Sequence, residues 1–209
     1  MIDTQHLPCD LQESILNQYR DGLRVRMGPP ILEFVRNLMP GYSTFGTSHA
    51  DIVLDWMAHM LQHPNIKPRK AIVLVGPPGC GKGLFASLFT ILLGAEKVCR
   101  TDQRMCRLAG TTLIHFDESN FSEDSLAAMK DLISAQVIAV AISDPDIIAS
   151  YHRVLITTNT FPVQQEYRRF VVIPCGRVQA SNFMASMETP HKIAALRQFL
   201  MERNVSAEL

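Results

Sequence analysis

Between the apolar run Ala71-Ile72-Val73-Leu74-Val75 and the apolar segment Leu84 to Leu93 lie eight residues, Gly76-Pro77-Pro78-Gly79-Cys80-Gly81-Lys82-Gly83. Strand, glycine-rich turn and helix form the context that a phosphate-binding loop requires. Glycines let the backbone curl until successive N–H groups face one concavity. The following helix N-terminus adds a partial positive charge there, and Lys82 adds a full one. The octet fits G-x-x-x-x-G-K-[ST] except at its last place, where Gly83 stands instead of the hydroxyl that would reach Mg²⁺. A glycine-rich turn with an accidental lysine would show the same letters. The flanking strand and helix are read independently from periodicity, however, so Gly76 to Leu84 reads as a nucleotide site for ATP and Mg²⁺.

Composition limits what can surround such a site. At 209 residues, with 47% hydrophobic and 19% charged side chains, the chain suits one α/β domain plus a small accessory segment. Lys+Arg and Asp+Glu balance at 20 each, so any nucleic-acid partner must be held by a local basic patch rather than bulk charge. The five cysteines, Cys9, Cys80, Cys99, Cys106 and Cys175, form no C-x-x-C pair and read as reduced core thiols. The N-terminus has no signal-peptide pattern, and Leu84 to Ala95 is too short to span a bilayer. A soluble, cytoplasmic protein without a membrane partner is expected.

In chain order, the first 64 residues read as helical. Asp10-Leu11-Gln12-Glu13 resembles a capping box, Ile31 to Leu38 is amphipathic, and Ser48 caps a helix that ends at Pro64. This segment, residues 1–64, is a candidate oligomerisation collar, and residues 65–209 are the P-loop core. Within the core, Val98 to Thr101 and Thr111 to Phe116 read as strands. Ser122 opens a helix, Val137 to Ile142 is extended, and Ser143 to Ser150 is turn-rich. Arg153 to Thr157 and Phe170 to Pro174 are extended, and Thr189-Pro190 starts a C-terminal helix. Strands alternating with helices predict an α/β fold with a mostly parallel central sheet and its site at the strand C-termini.

Three further features complete the motif set. Phe116-Asp117-Glu118 ends a buried strand 35 residues after Lys82. There Asp117 suits Mg²⁺ coordination and Glu118 the polarisation of an attacking water. Leu155-Ile156-Thr157-Thr158-Asn159 ends a strand in an amide that can sit beside a γ-phosphate, or that can simply close an Asx turn. Arg168 and Arg169 are either a solvated edge or, in a ring, a finger that reaches a neighbour's nucleotide.

This order of motifs resembles the superfamily 3 helicases of the AAA+ class, and in particular the helicase domain of phage and plasmid primase–helicases. The likeness covers about residues 30 to 175 and includes Asp55-Trp56-Met57-Ala58-His59-Met60-Leu61-Gln62-His63-Pro64 ahead of the loop. Several phage relatives also carry Gly-Lys-Gly. The resemblance implies a DNA-replication ATPase that assembles as a homo-oligomeric ring, a hexamer, on single-stranded or forked DNA. Lys82 would bind phosphate, Asp117 and Glu118 would serve Mg²⁺ and water, Asn159 would sense the γ-phosphate, and Arg168 or Arg169 would be the finger. Family members carry a basic hairpin tip between the acidic strand and the Asn strand. Here that stretch is the acidic Ile142-Ser143-Asp144-Pro145-Asp146-Ile147, which would repel a phosphate backbone, with only His152 and Arg153 near its far end. An AAA+ switch or loader that binds a protein partner is therefore the competing reading. The RNA-virus branch of the superfamily and a small-metabolite kinase rank below it.

Overall fold

The computed structural model describes residues 29–100, 109–117, 121, 123–139, 147–162, 168–178 and 190–208. The helix expected after Asp10, residues 140–146 of the expected extended and turn-rich stretches, Glu118, Thr189 and the segment Asp102 to Leu108 lie outside them. Five strands run parallel: β1 (Ala71–Val75), β2 (Val98–Arg100), β3 (Leu113–Asp117), β6 (Arg153–Thr158) and β7 (Phe170–Pro174). Their order across the sheet is β2-β3-β6-β1-β7. Two short antiparallel strands, β4 (Val137–Ala139) and β5 (Ile147–Ala149), form a separate hairpin. The mostly parallel α/β sheet expected from the sequence is therefore present. One local expectation fails: residues 147–149 are a strand rather than part of a turn, because their run of apolar residues pairs with 137–139.

The alternation of β1 divides the core. Ile72 and Leu74 join a cluster with Leu113, Leu155 and Ile173, whereas Ala71 and Val73 join Val154, Ile156 and Phe170 on the other face. The first face is covered by α1 (Pro29–Leu38), α2 (His49–Gln62), α3 (Lys82–Leu93) and α5 (Pro190–Glu202). The second is covered by Met129 and Ile133 of α4 (Glu123–Ser134). Because both faces are covered, β1 is apolar throughout rather than alternating.

Local chemistry sets the helix ends. Ser48 accepts a hydrogen bond from Asp51 N at 3.0 Å, as its place before α2 predicts. Gly94 closes α3 with φ 99°, where its N–H reaches Thr90 O at 3.0 Å. Trp56 of α2 and Phe85 of α3 both meet the Phe89 ring edge-on, with centroids 6.0 and 5.3 Å apart. Arg203, just past α5, pairs with Asp51 and Asp55 of α2 at 3.3 and 2.6 Å.

Arg153 is fully buried at the start of β6. Its guanidinium donates to the carbonyls of His63, Pro64, Ile66 and Tyr151 at 2.6–2.9 Å. Burial lowers its pKa to about 10. Beside it, Lys67 Nζ donates to Leu132 O, Ala135 O and Ser150 Oγ at 2.6–2.8 Å, and burial brings its pKa down to about 8. These two cations tie the loop after α2 to the end of α4 and the foot of the hairpin. Cys99 departs from the expectation of reduced thiols: it is disulfide-bonded, whereas Cys80 and Cys175 are free. Among the described residues no helix is long and apolar enough to cross a membrane.

Candidate nucleotide-binding site

β1 delivers the chain to Gly76 at the C-terminal end of the sheet, and Lys82 opens α3. The loop between them needs its glycines for two reasons. Gly79 and Gly81 have φ of 73° and 115°, which side-chain-bearing residues rarely adopt. Gly81 is also hemmed in: a Cβ there would meet Val178 Cγ2 at 2.8 Å, with Leu38 and Phe34 at 3.5 Å. At Gly76 a Cβ would lie 3.0–3.1 Å from Cys175 and the Cys80 sulfur. Gly83, by contrast, has nothing within 4 Å of an added Cβ, so that side of the loop is open. Gly81 offers no side-chain cap to α3, which leaves the first helical amides to an external acceptor. An open cradle with uncapped amides fits a phosphate chain.

Lys82 is only 6% exposed, yet no carboxylate partners it in any described contact. Its Nζ donates to Gly76 O at 2.6 Å, Pro77 O at 3.0 Å and Asn159 Oδ1 at 3.2 Å, and lies 3.7 Å from Cys80 Sγ. Asn159 follows β6, where Thr158 Oγ1 donates to Thr160 O at 2.7 Å and fixes the bend. Lys82 and Asn159, 77 residues apart in the chain, are thus in direct contact.

Asp117 ends β3 opposite Thr157 of β6, which in turn stands opposite Leu74 of β1. Its carboxylate therefore lies at the same end of the sheet as the loop, one strand removed from β1. Thr157 Oγ1 donates to Oδ1 at 2.6 Å, and Arg100 Nη2 donates to Oδ2 at 2.9 Å. His115 Nε2 is 2.9 Å from Thr157 Oγ1. Since that hydroxyl gives its proton to Asp117, the imidazole is the donor. Partial burial pushes the Asp117 pKa up. The Thr157 hydrogen bond, the charge of His115 and Arg100 together outweigh it and hold the carboxyl below its ordinary value.

Arg168 and Arg169 sit elsewhere. Arg169 O accepts from Ala71 N at 2.7 Å, which puts both arginines at the N-terminal end of β1 and β7. The length of a five-residue strand, roughly 17 Å at 3.3 Å per residue, separates them from the loop. They cannot reach the Lys82 of their own chain. Glu118 lies outside the described residues. Ser87, one turn into α3, donates to Gly83 O at 3.0 Å and so does not replace the missing hydroxyl. Among the described residues there is no group of three or more His, Cys, Asp or Glu side chains that could hold a metal ion.

Sequence reading alone misses Arg100, Thr157 and His115. His115 and Asp117 are two apart on one strand and so share a face, which was a usable signal. Arg100 carries no motif, and its partner follows only from the β2–β3 register, in which Arg100 stands opposite His115.

No protein-family model matches the chain, and no curated protein does. Solved structures do. The apo structure of the NrS-1 C-terminal region superposes with a TM-score of 0.70 at 17% identity, over 87% of this chain and 47% of that one. A second apo form gives 0.68 at 19%, with the same coverage. A JCV helicase bound to a small molecule gives 0.51 at 14%, over 96% of this chain and 64% of that one. The chain shares the fold of these structures, which here is an α/β domain built on a five-stranded parallel sheet. It spans about half the length of the NrS-1 C-terminal region.

Proposed function

We propose that the protein is an ATP-hydrolysing motor of superfamily 3 type, acting on DNA as a hexameric ring in phage, plasmid or viral replication. The observation that carries this is the contact of Lys82 Nζ with Asn159 Oδ1 at 3.2 Å, at the same end of the sheet as Asp117. Three motifs far apart in sequence then converge where a triphosphate would lie.

ATP and Mg²⁺, when bound, supply the scissile anhydride and the neutralisation of its charge. The chain's own groups do the rest. Lys82 exchanges the Gly76 and Pro77 carbonyls for phosphate oxygens, and the uncapped amides of α3 take others. Asp117 is the residue to hold the metal, with the Thr157 hydroxyl fixing the rotamer of its carboxylate. Asn159 orients the attacking water, and Glu118 accepts that water's proton. Arg168 or Arg169 of an adjacent subunit stabilises charge in the transition state, a role consistent with their distance from their own loop.

One observation favours the competing reading, an ATPase switch or loader for a protein partner. His152 and Arg153, the basic residues that follow β5 in the chain, are 3% and 0% exposed, so neither is offered to a phosphate backbone. ATP hydrolysis measured with and without single-stranded DNA tests both. A DNA motor is stimulated by the strand, and Lys82→Ala is inactive in either condition. Hydrolysis that depends on Lys82 but ignores DNA supports the switch, and hydrolysis unaffected by Lys82→Ala overturns the site.

A further inference from the structure

Arg100 touches Asp117, the carboxylate proposed above to hold the metal. Its Nη2 donates to Asp117 Oδ2 at 2.9 Å while Thr157 holds Oδ1, so both oxygens of Asp117 are engaged by this chain. The guanidinium is not fully satisfied in this seat. Among the described residues Arg100 Nε is buried with no hydrogen-bond partner, although the side chain as a whole is 39% exposed. A buried donor without an acceptor is a cost that favours another position for the group. The pair also differs from an ordinary surface ion pair in what it blocks. A metal ion approaching Oδ2 meets a positive charge already there, and only one of the two can hold that oxygen closely.

We propose that Arg100 is a positioning residue that competes with Mg²⁺ for Asp117, and so sets the Mg²⁺ concentration at which nucleotide binding is strengthened. This rests on the nucleotide-site reading above. Arg100 keeps the Asp117 carboxylate aimed, then yields Oδ2 as the metal enters with the nucleotide. Nothing is broken or oxidised; one cation replaces another on one oxygen. An ion pair this exposed is modest, so the competition is of a few fold rather than orders of magnitude.

The test titrates Mg²⁺ against binding of a fluorescent ATP analogue to the full chain. Arg100→Gln should lower the Mg²⁺ midpoint by roughly two- to fivefold while leaving the affinity in EDTA unchanged. Arg100→Lys, which keeps the charge, should lie close to wild type. In an Asp117→Asn background, Arg100→Gln should produce no further shift, because the contested oxygen is gone. A midpoint that stays put or rises overturns the proposal, as does an equal shift in the Asp117→Asn background. Affinity lost in EDTA as well also overturns it, since Arg100 would then be serving the fold or the nucleotide directly. Wild-type protein that binds no analogue at any Mg²⁺ concentration sinks the nucleotide site itself; binding that is merely indifferent to Arg100 sinks only this inference.

Discussion

An amine as buried as that of Lys82 needs hydrogen-bond acceptors around it. Here they are two carbonyls of its own loop and the amide of Asn159, all neutral and all exchangeable. That makes the ammonium a group held ready for an anion. Gly83, next in the chain, shows what the loop lacks. A side chain there would meet nothing within 4 Å, and Ser87 already donates to the Gly83 carbonyl. Gly83→Ser is therefore expected to be tolerated. It should stabilise α3 by about 0.5 kcal/mol through helix propensity and to tighten Mg²⁺-dependent nucleotide binding. Thermal melting and an Mg²⁺ titration check the two parts; unchanged Mg²⁺ dependence of hydrolysis would mean the hydroxyl does not reach the metal. At this scale the sequence revealed the residues that motifs mark, such as Lys82 and Asn159. It hid Arg100, because a cation on a three-residue strand signals nothing until the neighbouring strand supplies its carboxylate.

Among the elements, β6 joins the two ends of the molecule. Its C-terminal end turns into Asn159 beside Lys82, and its N-terminal end begins at Arg153, clamped to the loop after α2. The hairpin of β4 and β5 hangs from that clamped end through Ser150 to His152. Any movement of the hairpin relative to the site is thus resisted by Arg153 and Lys67, which fix its foot. Arg153→Met keeps the bulk and removes the donors, leaving the carbonyls of His63, Pro64 and Ile66 without them. The expected cost is about 3 kcal/mol, read as a fall in melting temperature of roughly 6–12 °C for a chain of this size. A fall within 2 °C would show that water replaces the guanidinium. The sheet strands were legible because parallel strands covered on both faces are continuous apolar runs. Strand β5 was not, because Ile147-Ile148-Ala149 follows Asp144-Pro145-Asp146, and turn chemistry outweighed three apolar residues. The burial of Arg153 was equally hidden: beside an acidic turn, an arginine reads as solvated until the α2 carbonyls that receive it are placed in space.

For the whole molecule, the fold is that of the NrS-1 C-terminal region and JCV helicase structures. The proposed function depends on something a single chain cannot provide. Lys82, Asn159 and Asp117 gather at the C-terminal end of the sheet, whereas Arg168 and Arg169 stand at its N-terminal end. Motif order made the first group legible from sequence. That the arginines face away from it is a consequence of strand direction: residues that precede a parallel strand lie at the end opposite those that follow one. If the arginines act at all in hydrolysis, they act on a neighbour. The measurement that tests this most directly mixes two inactive variants, Lys82→Ala and the double variant Arg168→Ala/Arg169→Ala, and follows ATP hydrolysis. The arginine variant alone should bind nucleotide without hydrolysing it. Mixing should restore activity, since sites with an intact Lys82 then meet neighbours with intact arginines. Normal hydrolysis by the arginine variant alone, or no recovery on mixing subunits shown to co-assemble, would contradict it.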